Sequence, residues 1–252
     1  EVDSSLIIDV LNKITDSDEE MRNIDTYAIG QMIKKLQDDS CVDFETLALL
    51  EWKFYSALEH VTKPKFLREK LKRQPKFFCE LICMLYKPKD ESLIENEPVH
   101  EQKLLSHVWT ILNELKPLAG YNEEQHTFDS RIFLDWFEEV IKIAQEKTRL
   151  DVALNEIGQI LFYSPADADG FWIDRNIAEL LNQDEYDAMR RGFSSEIINS
   201  RGVHWVDPEA KEEFNFAKKY HDQSAACRIS GYHRLANTLD EAEMFYQHEA
   251  ER

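Results

Sequence analysis

The chain has 252 residues, of which 43% are hydrophobic and 11% aromatic, enough to bury a packed core without disulfides or bound metal. Its formal net charge of −19 argues against nucleic acid or anionic lipid as a partner, because the field of the whole protein repels both. No apolar run reaches the roughly 18 residues of a membrane span, so we expect no membrane insertion.

The cysteines indicate the compartment of the protein, and the start of the chain indicates whether the sequence is complete. The four cysteines include no Cys-x-x-Cys pair, and Cys79 and Cys83 lie one helical turn apart among apolar neighbours. We interpret them as reduced core residues of a cytoplasmic protein that has no metal site and no cofactor. The chain begins without Met and without the pattern of a signal peptide, which predicts a piece of a longer protein.

Three amphipathic helices are predicted first. Ser4 or Ser5 can cap the first helix, an acidic run at 16–20 precedes the second, and Asp43 can cap the third. The apolar residues of each recur every three or four positions, as they do on one face of a helix. They are Leu6, Ile7, Val10, Leu11 and Ile14, then Tyr27, Ile29, Met32, Ile33 and Leu36, then Phe44, Leu47, Leu50, Phe54, Leu58 and Val61.

Two short helices follow at 63–73 and 75–86, because Pro64 and Pro75 each suit the first turn of a helix. Seven basic residues lie between positions 63 and 76 against one acid, Glu69. This reversal predicts either a patch for phosphate or an acidic partner, or a solvated helix face that pairs with nearby carboxylates. The seven residues are Lys63, Lys65, Arg68, Lys70, Lys72, Arg73 and Lys76.

The segment at 87–101 is the best candidate for a linker, because it contains Pro88 and Pro98 and little periodicity. We predict a boundary near residue 95, with an N-terminal helical subdomain at 1–95 and a C-terminal helical subdomain at 96–252. The two subdomains can also pack together as one domain. Helical spacing resumes after it and stops at Pro117 and Gly120. The strongest core pattern follows, with Ile132, Phe133, Trp136, Phe137, Val140 and Ile141.

From residue 150 onward, the sequence predicts five more helices and a turn. An apolar stripe at 150–161 ends before Pro165. The loop at 166–170 resembles a calcium loop only superficially, since Gly170 comes too early and Phe171 replaces an oxygen ligand. Short helices then follow near 172–181 and after Asp184. A long hairpin closes the chain at 209–228 and 232–246, with Gly231 as the helix stop.

The candidate binding site lies at 199–208, where a long helical pattern ends among polar, aromatic and turn residues. Arg201 and His204 can bind a carboxylate or phosphate, and Asp207 can cap the next helix. In the alternative interpretation, Trp205 fills the core and the three polar side chains satisfy the backbone of the loop. We therefore name Arg201, His204, Trp205 and Asp207 as binding candidates and assign no catalytic residue.

A second site hypothesis comes from Arg228 and His233. Their spacing resembles the arginine and histidine pair of some helical ribonucleases, which act on a phosphodiester. Ile229 replaces the polar residue that usually follows the arginine, and Gly231 is expected to break the helix between them. A ribonuclease-like enzyme is therefore the alternative function.

Four stretches carry a wider resemblance: Asn-Ser-Arg-Gly-Val-His-Trp-Val-Asp-Pro at 199–208, Gly-Tyr-His-Arg-Leu-Ala at 231–236, Leu-Leu-Glu-Trp at 49–52 and Pro-Lys-Phe-Phe at 75–78. They resemble the C-terminal helical region of large, mostly uncharacterised bacterial multidomain proteins. The resemblance contains no catalytic motif and implies a helical accessory or sensing module.

The sequence as a whole predicts an all-α protein of eleven or twelve helices. We expect an irregular multi-helix bundle or stacked antiparallel hairpins, ending in a long helical hairpin, because no repeat of fixed period is present. The favoured function is a non-enzymatic protein-interaction or sensing module with a protein partner.

Overall fold

The computed structural model describes residues 3–15, 23–90, 100–202 and 210–251. The protein is mostly helical, at 73%, which confirms the all-α prediction. The chain forms two compact units, Glu1–Gln74 and Pro75–Arg252. The helix at 75–85 packs on later helices and belongs to the second unit, and the subdomain boundary near residue 95 stays a prediction.

The first unit contains five helices within the described residues. They are α1 (Ser4–Thr15), α2 (Asn23–Gln37), α3 (Phe44–Lys53), α4 (Tyr55–Leu58) and α5 (Lys65–Arg73). As predicted, Asp43 caps α3, since its carboxylate accepts the backbone N–H of Thr46 at 2.9 Å. Much of the predicted apolar faces of α1 to α4 meets in one core, which includes Leu11, Ile33, Leu36, Leu50 and Phe54. Leu6, Val10 and Tyr27, which the sequence placed on the same faces, are instead exposed.

Glu51 is a buried carboxyl group inside this apolar unit. One of its oxygens accepts the backbone N–H of Leu67 in the first turn of α5 at 2.6 Å, and the other accepts the amide of Gln37 at 2.6 Å. Glu51 thereby supplies a hydrogen-bond acceptor to the start of α5, whose first N–H groups have no partner within the helix. Burial raises the pKa of Glu51 to about 7, against the lowering effect of these hydrogen bonds.

This raised pKa makes the stability of the first unit depend on pH. The folded state holds the Glu51 proton more tightly than the unfolded chain does, so the free energy of unfolding falls as pH rises from about 4.5 to about 7. A shift of this size corresponds to a loss of about 3 kcal/mol. We expect a lower urea midpoint at pH 8 than at pH 5, measured from the methyl NMR signals of Leu47 and Leu50.

The matched control is Glu51→Gln, which keeps the shape of the side chain and removes the titrating group. We expect its urea midpoint to be nearly constant between pH 5 and pH 8, because the Asp39, Asp43 and Glu45 carboxyls have lowered pKa values and titrate below this range. If the variant and the unmodified protein lose stability equally over this range, Glu51 is not the cause.

The second unit contains eight helices and one small hairpin of strands within the described residues. Helices α6 (Pro75–Leu85) and α7 (Gln102–Leu115) come first, and strands β1 (Tyr121–Asn122) and β2 (Thr127–Phe128) pair antiparallel. Then follow α8 (Ser130–Glu146), α9 (Leu150–Leu161), α10 (Arg175–Asn182), a 3₁₀ turn (Asp184–Tyr186), α11 (Asp187–Asn199), α12 (Lys211–Ile229) and α13 (His233–Ala250).

Aromatic side chains of α8 form the centre of one part of this unit. Phe133, Trp136 and Phe137 are buried as predicted, and the Trp136 ring meets Phe78 of α6 edge to face at 5.1 Å. Ile132, which the same pattern placed in the core, is instead 53% exposed. The helix therefore buries a narrower stripe than its sequence suggests.

Helices α12 and α13 form the predicted C-terminal hairpin. The Ser224 hydroxyl donates to the carbonyl of Ala236 at 3.1 Å, and the rings of Tyr220 and Tyr246 stack at 5.6 Å. Gly231 has a φ of +84° in the connection, a conformation that favours glycine. Among the helices of the described ranges, none has both the length and the apolar character that crossing a membrane requires.

Candidate functional site

Arg201 lies just after α11, and its guanidinium is held by the start of α12. Its Nη2 atom lies 2.7 Å from a carboxylate oxygen of Glu212 and 2.7 Å from one of Glu213, and the group sits over the Phe216 ring. Its side chain is only 8% exposed. Arg201 thus links two helices. The other predicted binding residues, His204, Trp205 and Asp207, lie outside the described residues, so the site at 199–208 remains a prediction.

The basic residues at 63–76 have acidic neighbours. Lys72 lies 2.8 Å from Glu69, which also contacts Arg73 at 3.4 Å. The pairs are Lys70 with Glu45, Lys72 and Arg73 with Glu69, and Lys76 with Glu80. At least four of the seven cations therefore lie beside an intramolecular carboxylate, and both interpretations of the basic segment stay predictions. Lys63 and Lys65 are exposed.

Arg228 and His233 lie on different helices, because α12 ends at Ile229 and α13 begins at His233. Arg228 pairs with Asp240 of α13, and His233 is exposed. The break at Gly231 that the sequence predicted is therefore present, and the ribonuclease-like function remains a prediction.

The carboxylates of the loop at 166–170 accept hydrogen bonds from residues in and next to this loop, before and at the start of α10. Asp167 accepts the backbone N–H of Arg175 at 3.0 Å, and Asp169 accepts the backbone N–H of Phe171 at 2.9 Å. Asp169 also binds the Arg175 guanidinium at 2.7 Å. Throughout the part of the chain that the structure describes, no three His, Cys, Asp or Glu side chains are grouped so that they could hold a metal ion.

A cleft of about 470 Å³ lies between α11 and α13 in the second unit. The described residues that line it are all polar or charged. Three arginines border it, namely Arg190 and Arg191 from α11 and Arg234 from α13. Hydroxyl and amide groups come from Ser194, Ser195, Asn237 and Thr238, and carboxylates from Asp187 and Glu241. We call this the α11–α13 cleft.

Arg190 is the fixed cation of the cleft. It is 7% exposed, and its guanidinium donates to the carbonyl oxygens of Leu181 at 2.9 Å, of Gln183, and of Asp184 at 3.3 Å. These acceptors belong to the end of α10 and the turn that follows. Burial lowers the pKa of Arg190, Asp187 opposes this effect, and the nearby charge of Arg234 adds to it. Arg190 therefore meets its hydrogen-bonding needs mainly through neutral carbonyls.

The other two arginines are more exposed and have surface ion pairs. Arg234 binds the Asp184 carboxylate at 2.9 Å, and its side chain is 47% exposed. Arg191 pairs with Asp187 one turn earlier on α11, and its side chain is 61% exposed. Exposed pairs of this kind contribute about 0–1 kcal/mol, so an incoming anion can compete for both guanidinium groups.

The two helices run in the same direction along the cleft. Arg234, at the start of α13, contacts Asp184, just before α11, at 2.9 Å. Farther along, the Tyr246 hydroxyl of α13 donates to the carbonyl of Ile197, near the end of α11, at 3.0 Å. Both helix N-termini, which carry partial positive charge, therefore lie at the same end as the three arginines. This end of the cleft is suited to an anion.

Glu241 of α13 also lines the cleft. It is exposed, and within the described ranges its carboxylate has no hydrogen bond or ion pair. Of the two carboxylates in the lining, Asp187 pairs with Arg190 and Arg191, whereas Glu241 has no such partner among the described residues. Sequence reasoning missed this site, although the adjacent arginines at 190 and 191, and Arg234, Asn237, Thr238 and Glu241 at helical spacing on α13, were visible in the sequence.

Comparison with models of protein families, with curated proteins and with solved structures finds no match to this chain.

Proposed function

We propose that the chain is a non-enzymatic recognition module that binds a protein partner through the α11–α13 cleft, as part of a larger bacterial protein. The observation that carries the proposal is the convergence of three arginines on one open cleft, whose described lining residues are all polar or charged, in a chain whose formal net charge is −19. Arginine clusters bind acidic groups through paired, charge-assisted hydrogen bonds.

The chemistry of the lining favours binding over catalysis. Ser194 and Ser195 supply hydroxyls, but among the described residues that border the cleft there is no histidine to act as their base. The arginines and hydroxyls are suited to holding an anionic group. Among the described residues, those that line the cleft include no aromatic or aliphatic residue, which favours polar side chains of a partner protein over an apolar ligand.

Capture from a bacterial lysate with the whole chain as bait tests this proposal. Arg191→Glu reverses a charge at the cleft, and we expect it to lose the proteins that the unmodified chain retains. The fold is expected to remain, because Arg191 is exposed and pairs only on the surface.

The matched control is Lys218→Glu on α12. Lys218 also pairs with an aspartate four residues away, Asp222, and both side chains are exposed. Lys218→Glu therefore reverses the charge of an exposed, paired cation outside the cleft lining. We expect the Lys218→Glu bait to retain the same proteins as the unmodified chain. Loss in both variants, loss in neither, or no protein retained by the unmodified chain would count against the cleft as the recognition site.

A further inference from the structure

The Glu51 carboxyl group of the first unit lies between two different hydrogen-bond donors. The group is buried, and each of its oxygens accepts one bond at 2.6 Å, from the backbone N–H of Leu67 and from the side-chain amide of Gln37. An ionised carboxyl group is only an acceptor, so this arrangement fits the ionised form. Burial favours the protonated form and raises the pKa of Glu51 to about 7. The group therefore changes its protonation near neutral pH.

The Leu67 N–H can only donate, whereas the Gln37 amide can donate or accept. The Gln37 nitrogen donates to Glu51 and also to the carbonyl of Lys63, at 2.8 Å. Its oxygen accepts the hydroxyl of Thr62 at 2.6 Å. A half turn of the amide exchanges the positions of its nitrogen and oxygen, which brings an acceptor to Glu51. Of Leu67 and Gln37, only Gln37 can therefore accept a hydrogen bond from a proton on this carboxyl group.

We propose that Glu51 and Gln37 form a proton-operated switch at the start of α5. When Glu51 takes a proton from solvent, the Gln37 amide turns and accepts a hydrogen bond from the new O–H group. The turn withdraws the Gln37 donor from the Lys63 carbonyl. The Thr62 hydroxyl can donate or accept, so it keeps a bond to the turned amide. The bond between Gln37 and the Lys63 carbonyl is the one that is lost.

This bond ties the end of α2 to the connection before α5. Gln37 is the last residue of α2, and α5 begins at Lys65, two residues after Lys63. The Lys63 carbonyl also accepts the backbone N–H of Lys65 at 2.9 Å, and Lys63 is exposed, so water can replace the amide. The bond from Leu67 to Glu51 is present in both states. Proton binding therefore loosens the connection while α5 stays in place.

The switch responds to burial and to hydrogen bonds more than to nearby charges. Besides burial, the strongest effects on the Glu51 carboxyl group come from the backbone N–H groups of residues 65–67 and from the Gln37 amide. The titratable side chains of α3 and of the described helices packed against it have smaller effects. They are Asp25, Tyr27, Lys34 and Lys35 of α2, Glu45 and Lys53 of α3, Tyr55 of α4, and Lys65, Arg68, Glu69, Lys70, Lys72 and Arg73 of α5.

NMR of the whole chain between pH 5 and pH 9 tests the proposal. The signals to follow are the side-chain carboxyl carbon of Glu51, the side-chain amide of Gln37 and the backbone carbonyl carbon of Lys63. We expect all three to titrate with one midpoint near pH 7, because a single proton changes all three groups. A Glu51 signal that stays constant over this range would overturn the proposal. Constant Gln37 and Lys63 signals beside a titrating Glu51 would overturn it as well.

The variant Glu51→Gln holds the switch in its protonated arrangement. The new side chain has one oxygen, which the Leu67 N–H requires, so its NH2 group faces Gln37 and requires an acceptor there. We expect the Gln37 and Lys63 signals of this variant to match those of the unmodified chain at pH 5 over the whole range. A match to the unmodified chain at pH 9 would contradict the turn of the amide. If the variant does not fold, the titration of the unmodified chain decides alone.

The matched control is Glu45→Gln, the same replacement on the same helix. Glu45 also accepts hydrogen bonds from the neighbourhood of α5, from Lys70 and Gln74, but it is exposed and its pKa is lowered. We expect the Gln37 and Lys63 signals of this variant to titrate with the midpoint of the unmodified chain. Loss of their titration in Glu45→Gln would show that the packing of α5, and not the Glu51 proton, moves these signals.

Discussion

Replacing Gly192 with alanine will destabilise the second unit by about 3 kcal/mol, because helices α9 and α11 touch through their backbones at this position. A Cβ atom at Gly192 would lie 1.8 Å from the carbonyl oxygen of Asn155 on α9. On the facing helix, a Cβ at Gly158 would lie 1.9 Å from the carbonyl oxygen of Met189. Neither obstacle is a flexible side chain, so the two helices must move apart.

The movement would disturb groups on both helices. Phe193 is buried next to Gly192, and Ile157 is buried next to Gly158. Separating such closely packed surfaces opens voids, and protein interiors tolerate these poorly. The higher intrinsic helix propensity of alanine, worth about 1 kcal/mol, offsets only part of this loss.

Hydrogen exchange of the α9 and α11 amides measures the effect, because it reports local and global opening of these helices. The control is Gly170→Ala, where nothing lies within 4 Å of an added Cβ. Gly170 has a φ of +87°, so this change should cost about 1 kcal/mol from backbone strain alone. Protection in Gly192→Ala equal to that of the unmodified protein would show that the helices are not in backbone contact.

The second large effect concerns Lys116, a buried cation at the end of α7. Its side chain is 8% exposed, and its Nζ atom donates to Gln159 at 2.7 Å and lies 3.2 Å from a carboxylate oxygen of Glu196. The other oxygen of Glu196 accepts the Tyr163 hydroxyl at 2.7 Å. Lys116 has a φ of +40°, which adds backbone strain at the residue that places this charge.

A second buried carboxyl group, Glu156, shares this cluster. Burial raises the pKa of Glu156, and the negative charge of Glu196 adds to this rise. The hydrogen bond from the Tyr86 hydroxyl, at 2.6 Å, and the charge of Lys116 lower the pKa. Two carboxyl groups and one ammonium group therefore depend on each other inside the second unit. Removal of the ammonium group leaves two acids close together with no compensating cation.

We expect Lys116→Met to destabilise the second unit by about 3–5 kcal/mol at pH 8, since it breaks a buried ion pair by removing one partner. Burial already raises the pKa of Glu156, and loss of the Lys116 charge, which lowers it, raises this pKa further. The variant therefore loses stability as pH rises and recovers part of it toward pH 5. Urea unfolding of the variant and the unmodified chain at both pH values measures this difference.

The double variant Lys116→Met with Glu196→Gln is the control for this cluster. It removes one of the two uncompensated carboxylates and retains an oxygen that can accept from Tyr163, so it should be more stable at pH 8 than Lys116→Met alone. A deficit in Lys116→Met that is independent of pH and unchanged in the double variant would mean that the loss is due to packing and not to charge.

Much of this fold was predictable from local sequence patterns. The three-and-four spacing of Phe133, Trp136, Phe137 and Val140 predicted a buried helix face, and Gly231 predicted the turn of the C-terminal hairpin. The buried helix face and the turn both depend on residues close together in the sequence. The spacing of apolar residues and the backbone preference of glycine therefore predict them directly.

Features that depend on distant residues were not predictable in this way. Gly158 and Gly192 lie inside helices, where glycine usually weakens the helix, and the close backbone of the facing helix explains both. The strand pair β1–β2 has two residues in each strand, too few for an alternating pattern. The burial of Arg190 depends on carbonyl partners that lie on another element, which a local pattern does not show.

The candidate cleft is another feature that depends on residues far apart in the sequence. The sequence contained the spacing of Arg234 and Glu241 on α13, but it could not show that α11 lies alongside in the same direction. The site at 199–208 stood out because its residue types are concentrated in one segment. In the cleft, the charged groups come from separate helices and converge only after folding.

The most direct test of the account is the dissociation constant of the captured partner, measured by calorimetry on the unmodified chain, Arg191→Glu and Lys218→Glu. If the α11–α13 cleft is the recognition site, the constant should rise at least about tenfold, or about 1.4 kcal/mol, for Arg191→Glu. It should stay within about twofold of the unmodified value for Lys218→Glu, since that exposed pair lies outside the cleft lining. Equal constants for all three proteins would contradict recognition through this cleft.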